Sequence, residues 1–371
     1  MDGSFTIGRI FGIPLKLHIS WFFILVLITS TLAMGYFPDQ FPEWTTTAYW
    51  IVGLVTSILF FASVVIHELG HSLVALRDGV PVQSITLFIF GGVAQIGREP
   101  DTAGSEFRIA IAGPITSLAL AAFFLIFGRL AGFRSEIAGS AIYLGQINII
   151  LAVFNMLPGF PLDGGRVLRA ILWKIGGNFR KATHWATGTG QAVAFLFIGF
   201  GVWLMFSGNF INGLWMAFIG WFLSNASQHS YRQVVMRDML GGVTARQLMV
   251  EQCPVVTPNI PLDELVDRHV LGDGHRCFFI ADNDHMQGLL TLSKIKTVDR
   301  TKWKNVTTED VMVPLDQVLS ISPDEDAWSL LRIMDENDVN QVPVMENNQL
   351  VGMITRDRLL HYIRTRSELG F

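Results

Sequence analysis

The sequence is poor in charged residues and in cysteine. Asp, Glu, Lys and Arg make up 16% of its 371 residues, whereas 50% are hydrophobic. Soluble domains typically have about 25% charged residues, so this balance excludes an ordinary soluble enzyme and predicts a multi-pass membrane protein. Only Cys253 and Cys277 are present. Two cysteines are too few for a disulfide-based scaffold, and their scarcity favours a reducing compartment.

Basic residues are not in excess either. The formal net charge is −4 at pH 7, whereas binding to nucleic acid requires a concentrated basic surface. We therefore expect no nucleic-acid partner. The first apolar run has no small-residue cleavage site before Phe37 and Pro38, so we interpret it as a membrane anchor rather than a cleaved signal peptide.

Six apolar stretches are long enough to cross a hydrocarbon layer of about 30 Å. They cover residues 17–36, 47–76, 109–127, 137–157, 187–206 and 211–226. Residues 1–230 are therefore predicted to form a polytopic α-helical membrane domain with about six transmembrane helices. Residues 80–97 are too short and too rich in glycine for a further span, and the β-branched and aromatic residues at 85–90 predict a short re-entrant β segment.

The distribution of positive charge predicts the orientation of the spans. Arg9 and Lys16 precede the first span, whereas the loop after it has neither Lys nor Arg. Because Lys and Arg accumulate in cytoplasmic loops, we expect the N-terminus in the cytoplasm. Most other basic residues near the ends of spans fall on the same side, and Arg129 and Arg134 fall on the opposite side. Six spans then place the region after residue 230 in the cytoplasm as well.

Ionisable groups enter the second span only at its end, in the segment HELGH at residues 67–71. Residues 45–66 carry no charge. Residues four apart share one face of a helix, so His67 and His71 can direct ring nitrogens at one metal ion, with Glu68 beside them. The pattern is that of the zinc-protease motif, and ionisable groups inside a membrane span are usually functional. The alternative is a fortuitous match.

A second polar segment closes the fourth span. The sequence NMLPGFPLDGGR, residues 155–166, has two prolines and three glycines, which interrupt a helix. Asp163 is the natural third metal ligand, because the predicted topology places it in the same half of the membrane as the two histidines. Its alternative role is to cap the following turn. Asn155 is a candidate hydrogen-bond donor to the reacting oxygen or to the substrate backbone, and its alternative role is to satisfy carbonyls at the helix end.

The composition changes after residue 230, where apolar runs shorten and charges become frequent. This change predicts a soluble domain at residues 242–366, with an internal repeat at about 244–300 and about 307–366. Two pairs of segments carry the repeat: TARQLMV with TTEDVMV, and QGLLTLSKI with VGMITRDRL. Repeats of this length are typical of small β-α-β units that do not bury a core alone, so we expect the two halves to pack as one α/β domain.

Together, HELGH and residues 155–164 resemble the paired signature of the site-2 protease family of intramembrane zinc metalloproteases. The segments GGV at 91–93 and AGP at 112–114 also resemble that family's spacing, and the resemblance covers roughly residues 5–225. It implies one zinc ion per chain, held by His67, His71 and Asp163. It also implies that Glu68 activates the attacking water.

The resemblance also implies a membrane-protein substrate that is cleaved in or near a transmembrane segment. A helical substrate hides its carbonyls in hydrogen bonds, so it must unwind locally. We expect an exposed strand edge at Gly91, Gly92 and Val93 to hold it extended by β-addition. The alternative is that Gly91 and Gly92 are plain turn glycines.

The C-terminal repeat is similar to a tandem pair of CBS domains, modules often associated with adenine-nucleotide sensing. Thr355 and Asp357 resemble the ribose-contacting residues of such modules, whereas the first repeat has Ser293 where the second has Asp357. One of the two potential nucleotide sites therefore lacks its acid. The alternative is a dimerisation or docking module without a ligand, and a homodimer through the CBS domains is a further expectation.

These features predict an intramembrane zinc endopeptidase of the cell membrane. Its active-site side and its CBS pair are expected to face the cytoplasm, with an adenine nucleotide at the CBS pair modulating cleavage. The alternative function is a non-proteolytic membrane sensor or scaffold, in which the metal site is vestigial and the CBS pair carries the function.

Overall fold

The computed structural model divides the chain into two compact units, Met1–Arg232 and Gln233–Phe371. Apart from the side chains of residues 238, 285 and 349, it describes residues 3–89, 91–132, 135–250, 254–282, 285–346 and 349–369.

The first unit is built mainly from helices. They are α1 (Ser20–Thr31), which continues through a π-helical turn (Leu32–Tyr36) into α2 (Phe37–Gln40), then α3 (Thr46–Arg77), α4 (Ala103–Leu130), α5 (Glu136–Asn155), α6 (Asp163–Gly176), α7 (Phe179–Phe206) and α8 (Phe210–Leu240). Polar side chains start four of them, because Thr45, Thr102, Ser135 and Asn178 each accept a hydrogen bond from the first turn of the following helix. Such caps satisfy backbone N–H groups that a helix start leaves unpaired.

Five helical stretches of the described chain are long and apolar enough to cross a membrane. They are Ser20–Gln40, Thr46–Arg77, Ala103–Leu130, Glu136–Asn155 and Phe179–Phe206. The prediction of several long apolar helices is thus confirmed, and each stretch overlaps one predicted span. The sixth predicted span, residues 211–226, lies within α8, which is not among the five. A total of six spans therefore stays a prediction.

A four-stranded sheet accompanies these helices. Its strands, in spatial order, are β1 (Ser4–Ile10), β2 (Ile13–His18), β3 (Val82–Phe88) and β4 (Gly91–Ile96). The pairs β1–β2 and β3–β4 are antiparallel, whereas β2–β3 is parallel. The sheet thus joins the N-terminal hairpin to the hairpin that follows α3.

The sequence predicted only the second hairpin. A strand was expected at residues 85–90, and β3 covers 85–88, while residue 90 lies outside the described part of the chain. The first span was expected to begin at residue 17, which is wrong, because residues 15–17 of β2 pair with β3 and the helix begins at Ser20. Entry of β3 and β4 into the membrane stays a prediction.

The sheet packs against the helix that carries the two histidines. Buried residues of β2 and β3 share one apolar cluster with buried residues of α3: Ile13, Leu17, Ile85, Leu87, Phe61, Val64, Val65 and Leu69. This packing holds β4 beside the C-terminal half of α3, where the ionisable residues lie.

The second unit has a four-stranded sheet, a two-stranded sheet and several short helices. Its elements are α9 (Ala245–Leu248), β5 (Val255–Val256), α10 (Leu262–Leu265) with a π-helical continuation (Val266–Gly272), β6 (Cys277–Asp282), β7 (His285–Thr291), α11 (Leu292–Ile295), a 3-10 turn (Arg300–Lys302), α12 (Thr308–Val311), β8 (Val313–Pro314), a 3-10 turn (Leu315–Gln317), α13 (Ala327–Glu336), β9 (Gln341–Glu346), β10 (Gln349–Thr355) and α14 (Arg356–Glu368). The four-stranded sheet has the order β5-β6-β7-β8, and the two-stranded sheet consists of β9 and β10. This α/β character agrees with the expected fold class of the C-terminal region.

Each repeat of this unit is completed by the other. A short helix with a capping box opens both repeats. The residues after each opening helix pair with the last strand of the opposite repeat, since Val250 pairs with Met353 of β10, and Val313 of β8 pairs with Leu289 of β7. The two halves therefore pack as one unit.

The paired glycines of the repeat lie where these segments cross. A Cβ on Gly288 would meet the backbone of Val313 and lie 2.9 Å from Sδ of Met312, and a Cβ on Gly352 would lie 3.0 Å from Sδ of Met249. Glycine at both positions lets the segments approach, which explains why the similarity between the repeats includes it.

The second unit also contains a disulfide bond that the sequence did not predict. Cys277 at the start of β6 is disulfide-bonded, and Cys253, the other cysteine of the sequence, lies outside the described residues. One bridge is not a disulfide framework, and by itself it assigns no compartment. The predicted orientation of the spans in the membrane therefore rests on the distribution of Lys and Arg.

Candidate metal centre

The two histidines of HELGH share one buried face of α3. The helix runs without interruption through 32 residues, so side chains four apart point in the same direction. His67 is 3% exposed and His71 is 4% exposed, and their Nε2 atoms lie 3.2 Å apart. Both ring nitrogens therefore face one point inside the protein.

Asp163 reaches the same point from a separate segment. The helix α5 ends at Asn155, a bent stretch follows, and α6 begins at Asp163. Its Oδ2 lies 3.2 Å from Nε2 of His67 and 3.1 Å from Nε2 of His71. The carboxylate of Asp163 thus lies against both imidazoles.

The helix α4 fixes the orientation of both imidazole rings. Nδ1 of His71 donates a hydrogen bond to the carbonyl of Ile109 at 2.7 Å, and Nδ1 of His67 lies 2.8 Å from Oγ of Ser117. A proton on Nδ1 leaves the lone pair of Nε2 directed toward Asp163. Such outer hydrogen bonds set the tautomer of metal-binding histidines.

Sequence reasoning missed both of these partners. A backbone carbonyl such as that of Ile109 has no signature in the sequence. Ser117 had a weak one, because it follows Gly113 by four residues and so shares its helical face in an otherwise apolar span.

Glycines let α4 approach these rings. A Cβ on Gly113 would lie 2.6 Å from Nε2 of His67 and closer still to Nε2 of His71, and a Cβ on Gly70 would collide with Oγ1 of Thr116. The AGP and HELGH segments therefore meet at a close helix crossing, in which small residues allow the backbones to approach.

Further glycines hold the segment that carries Asp163. A Cβ on Gly164 would collide with the carbonyls of residues 156 and 157, and one on Gly165 would collide with the backbone of Gly159. The loop also packs on α7, since Gly190 lies against the backbone of Phe160, whose N–H donates to the carbonyl of Ala186 at 3.2 Å. The glycines at residues 159–165 are thus needed for close packing as well as for breaking the helix.

Glu68 lies between the candidate metal centre and β4, an edge strand of the sheet. Its Oε2 accepts a hydrogen bond from the backbone N–H of Ala94 in β4 at 3.2 Å. A Cβ on Gly92 would lie 2.8 Å from Cγ of Glu68, so glycine gives the carboxylate room against the strand. The sheet therefore holds Glu68 next to the two histidines.

The three donors fit a zinc ion. Two imidazole nitrogens and a carboxylate oxygen are ligands that zinc prefers, and ligands about 2.0–2.1 Å from a tetrahedral centre lie about 3.3 Å apart. The three separations of 3.1–3.2 Å are close to that value. Binding of a metal ion by this set would require neutral imidazoles and an ionised carboxylate.

The other predicted site residues of the membrane unit lie at the end of α5 and at the start of β4. Asn155 is the last residue of α5 and is half-buried. Gly91, Gly92 and Val93 begin β4, which is one of the two edge strands of the described sheet, and the side chain of Val93 is exposed. The role of these three residues in substrate binding stays a prediction.

The predicted nucleotide residues lie in a cleft of the second unit. Thr355 and Asp357 line a cavity of about 950 Å³ together with Thr291 and Ser293 of the first repeat. The side chain of Thr355 caps α14, and Oδ2 of Asp357 lies 3.3 Å from Nη1 of Arg276. Both repeats thus contribute to one cleft.

Comparison with known proteins agrees with these features. The model of peptidase family M50 matches residues 55–140 and 131–199, and the CBS domain model matches residues 309–365. A putative zinc metalloprotease of Synechocystis sp. is 34% identical over 98% of this chain and 97% of its own length. The putative zinc metalloprotease Rip3 of Mycobacterium tuberculosis is 35% identical over 96% of this chain and 91% of its own length.

Similarity extends to archaeal proteins. A zinc metalloprotease of Methanocaldococcus jannaschii is 31% identical over 97% of this chain and 96% of its own length. The solved site-2 protease from the same organism is 32% identical, covers 62% of this chain and 95% of its own, and superposes with a TM-score of 0.44.

Identity above 30% along nearly the whole chain establishes the family. The protein is a multi-pass membrane metalloprotease that carries a CBS domain. It belongs to peptidase family M50, the site-2 protease family of zinc metalloproteases.

Close packing at Gly113 generates a first prediction. Gly113→Ala should force the imidazoles apart and destabilise the folded protein by about 1–3 kcal/mol, as overpacking does. Gly199→Ala is the matched control, because a Cβ there meets nothing within 4 Å in α7. Thermal unfolding of the purified proteins in detergent measures the difference. Equal midpoints for the two variants would contradict the close approach.

Proposed function

We propose that this protein is an intramembrane zinc endopeptidase in which His67, His71 and Asp163 hold one zinc ion. The observation that carries the proposal is the meeting of three donor atoms, from two separate segments, within 3.2 Å of one another. Ionisable side chains in an apolar helix need such a partner, because burying them unpaired is costly. The alternative sensor function gives no reason for so complete a donor set.

The chemistry is hydrolysis of a peptide bond. When bound, zinc would polarise the scissile carbonyl and lower the pKa of a water molecule. Glu68 takes a proton from the attacking water and later delivers it to the leaving nitrogen, which is general acid–base catalysis by one carboxylate. In this proposal Asn155 donates a hydrogen bond to the reacting oxygen or to the substrate backbone.

The substrate binds as an extended strand along β4. This strand lies at one end of the described sheet, and the N–H of Ala94 within it donates a hydrogen bond to Glu68. A transmembrane segment that unwinds and pairs with Gly91, Gly92 and Val93 would bring its carbonyls beside the catalytic carboxylate. Main-chain pairing supports substrates of varied sequence, because the hydrogen bonds involve only backbone groups.

The active-site side of the membrane is the cytoplasmic side in this proposal. Arg9 and Lys16 lie in the first hairpin, and Arg77 ends the helix that carries the histidines. Loops rich in Lys and Arg remain in the cytoplasm, so the N-terminus and the C-terminal domain lie there with them. The protease domain spans residues 1–230 and the CBS pair spans residues 242–366.

The CBS pair modulates cleavage by binding an adenine nucleotide. The cleft that contains Thr355 and Asp357 supports this part of the proposal, because its volume of about 950 Å³ lies in the range of small-molecule sites. The hydroxyl of Thr355 and the carboxylate of Asp357 would accept hydrogen bonds from a ribose. Pairing of two chains through the same domain is the proposed oligomeric state.

Metal content tests the zinc site. Purified wild-type protein should hold about one zinc per chain, since a catalytic site of this type binds a single ion. His67→Ala and Asp163→Ala should each lose most of it. His184→Ala and Asp101→Ala are matched controls outside the centre and should retain it. Metal-free wild-type protein that still binds a nucleotide would favour the sensor instead.

Proteolysis tests the role of Glu68. Glu68→Gln keeps the size of the side chain but removes its ability to accept a proton, so cleavage of a co-expressed membrane substrate should fall roughly 10²- to 10⁴-fold. Zinc content should stay near that of the wild type. Glu136→Gln in the first turn of α5 is the control and should cleave normally. Undiminished cleavage by Glu68→Gln would exclude this mechanism.

Calorimetry tests the nucleotide site. Titration of the full-length protein in detergent with ATP, ADP and AMP should give a saturable heat for at least one of them. Thr355→Ala and Asp357→Ala should weaken binding roughly tenfold each, the effect of losing one good hydrogen bond. Asp324→Ala, an exposed acid outside the cleft, should bind as the wild type does. Absence of heat with all three nucleotides would reject this ligand class.

A further inference from the structure

A second group of buried charges lies beside the metal centre. Arg169 of α6 is 1% exposed, and Glu106 of α4 is 0% exposed. Nε and Nη2 of Arg169 both contact Oε1 of Glu106. Nη2 also donates to Oε2 of Glu99, which is partly exposed, at 2.9 Å. One guanidinium thus joins α6, α4 and the segment that precedes α4.

Two aromatic rings enclose the same guanidinium. Cζ of Arg169 lies 4.8 Å from the ring centre of Phe160 and 4.6 Å from that of Phe179. Phe160 belongs to the loop before α6, and Phe179 begins α7. Cation–π contacts of a desolvated arginine are favourable, so Arg169 also links this loop to α7.

Stability alone does not account for this group. Transfer of two charges out of water opposes folding, and well-packed apolar residues often serve equally well or better. The pair is also incompletely satisfied, because Oε2 of Glu106 and Nη1 of Arg169 have no hydrogen-bond partner among the described residues. An ion pair that is unfavourable to bury and only partly hydrogen-bonded is better explained by the segments that it holds together.

The segments that the ion pair holds together carry or orient the proposed metal ligands. Arg169 lies six residues after Asp163 on α6, and Phe160, which it contacts, lies three residues before Asp163. Glu106 lies three residues before Ile109, whose carbonyl accepts the hydrogen bond from His71. The ion pair therefore connects the segment that carries the carboxylate to the helix that orients an imidazole.

We propose that Arg169 and Glu106 are positioning residues for the metal centre. They act through other groups, since neither contacts His67 or His71 in the described structure. Arg169 holds the loop and the start of α6 on both sides of Asp163, and Glu106 ties them to α4. The inference rests on the proposed zinc site. It adds that the ion pair must hold Asp163 at the right distance from the two histidines.

Two variants test the proposal in the full-length protein. Arg169→Lys keeps the charge but loses the planar fork and its stacking on the two rings. The double variant Arg169→Met with Glu106→Met replaces the pair by apolar side chains and leaves no buried charge between them. Both should release zinc to a chelator roughly ten- to a hundredfold faster than the wild type, the range for loss of groups that support metal ligands.

Thermal unfolding of the zinc-free proteins separates positioning from folding. The double variant should unfold at the wild-type midpoint or above it, because apolar residues replace a buried ion pair without loss of stability. Lys174→Met, which removes an exposed charge near the end of α6, is the control and should change neither measurement.

The outcomes are distinct. Folded variants that release zinc as slowly as the wild type would overturn the positioning role. Absence of both variants from the membrane fraction would overturn it too, because the pair would then be required for folding itself. Wild-type protein without zinc would instead contradict the proposed metal site.

Discussion

The structure depends on bringing two imidazoles and one carboxylate together in an apolar surrounding. His67 and His71 come from one helix, whereas Asp163 begins another after a broken stretch. Each group alone would be costly to bury, and together they form a set of donors that fits a metal ion. The helix that crosses behind them, α4, supplies none of these three donors. It orients both rings and so determines where their nitrogens meet.

Close approach of backbones is the means by which this meeting is achieved. In lipid the hydrophobic effect does not drive helices together, so packing and polar contacts must do so. Gly70 and Gly113 let α3 and α4 touch, and Gly190 receives the loop that carries Asp163. Glycine at these three positions is therefore required for close packing and not for a turn of the chain.

The sequence predicted the parts of this site that depend on spacing. The separation of His67 and His71 defines a helical face, and the interrupted span around Asp163 identifies a partner segment. Long apolar runs likewise predicted five of the helices. Contacts between distant segments were not predictable in the same way. The N-terminal hairpin has apolar residues at the alternate positions 13, 15 and 17, but the apolar span follows it directly and the prediction did not separate the two. The pairing of its second strand, β2, with residues 85–87 is a contact between distant segments. The role of Ile109 belongs to a carbonyl, which every residue possesses.

The length of α3 has a consequence for the supply of water. Its 32 residues extend about 48 Å, whereas the hydrocarbon layer is about 30 Å thick. Such a helix must tilt or project beyond the layer. Ten residues separate His67 from the helix end at Arg77, so the imidazoles lie at most about 15 Å beneath that end, and any tilt reduces the depth. Because α3 is longer than the hydrocarbon layer is thick, it must tilt or project beyond that layer. Either change shortens the path by which water, the second substrate of a hydrolytic enzyme, reaches the imidazoles.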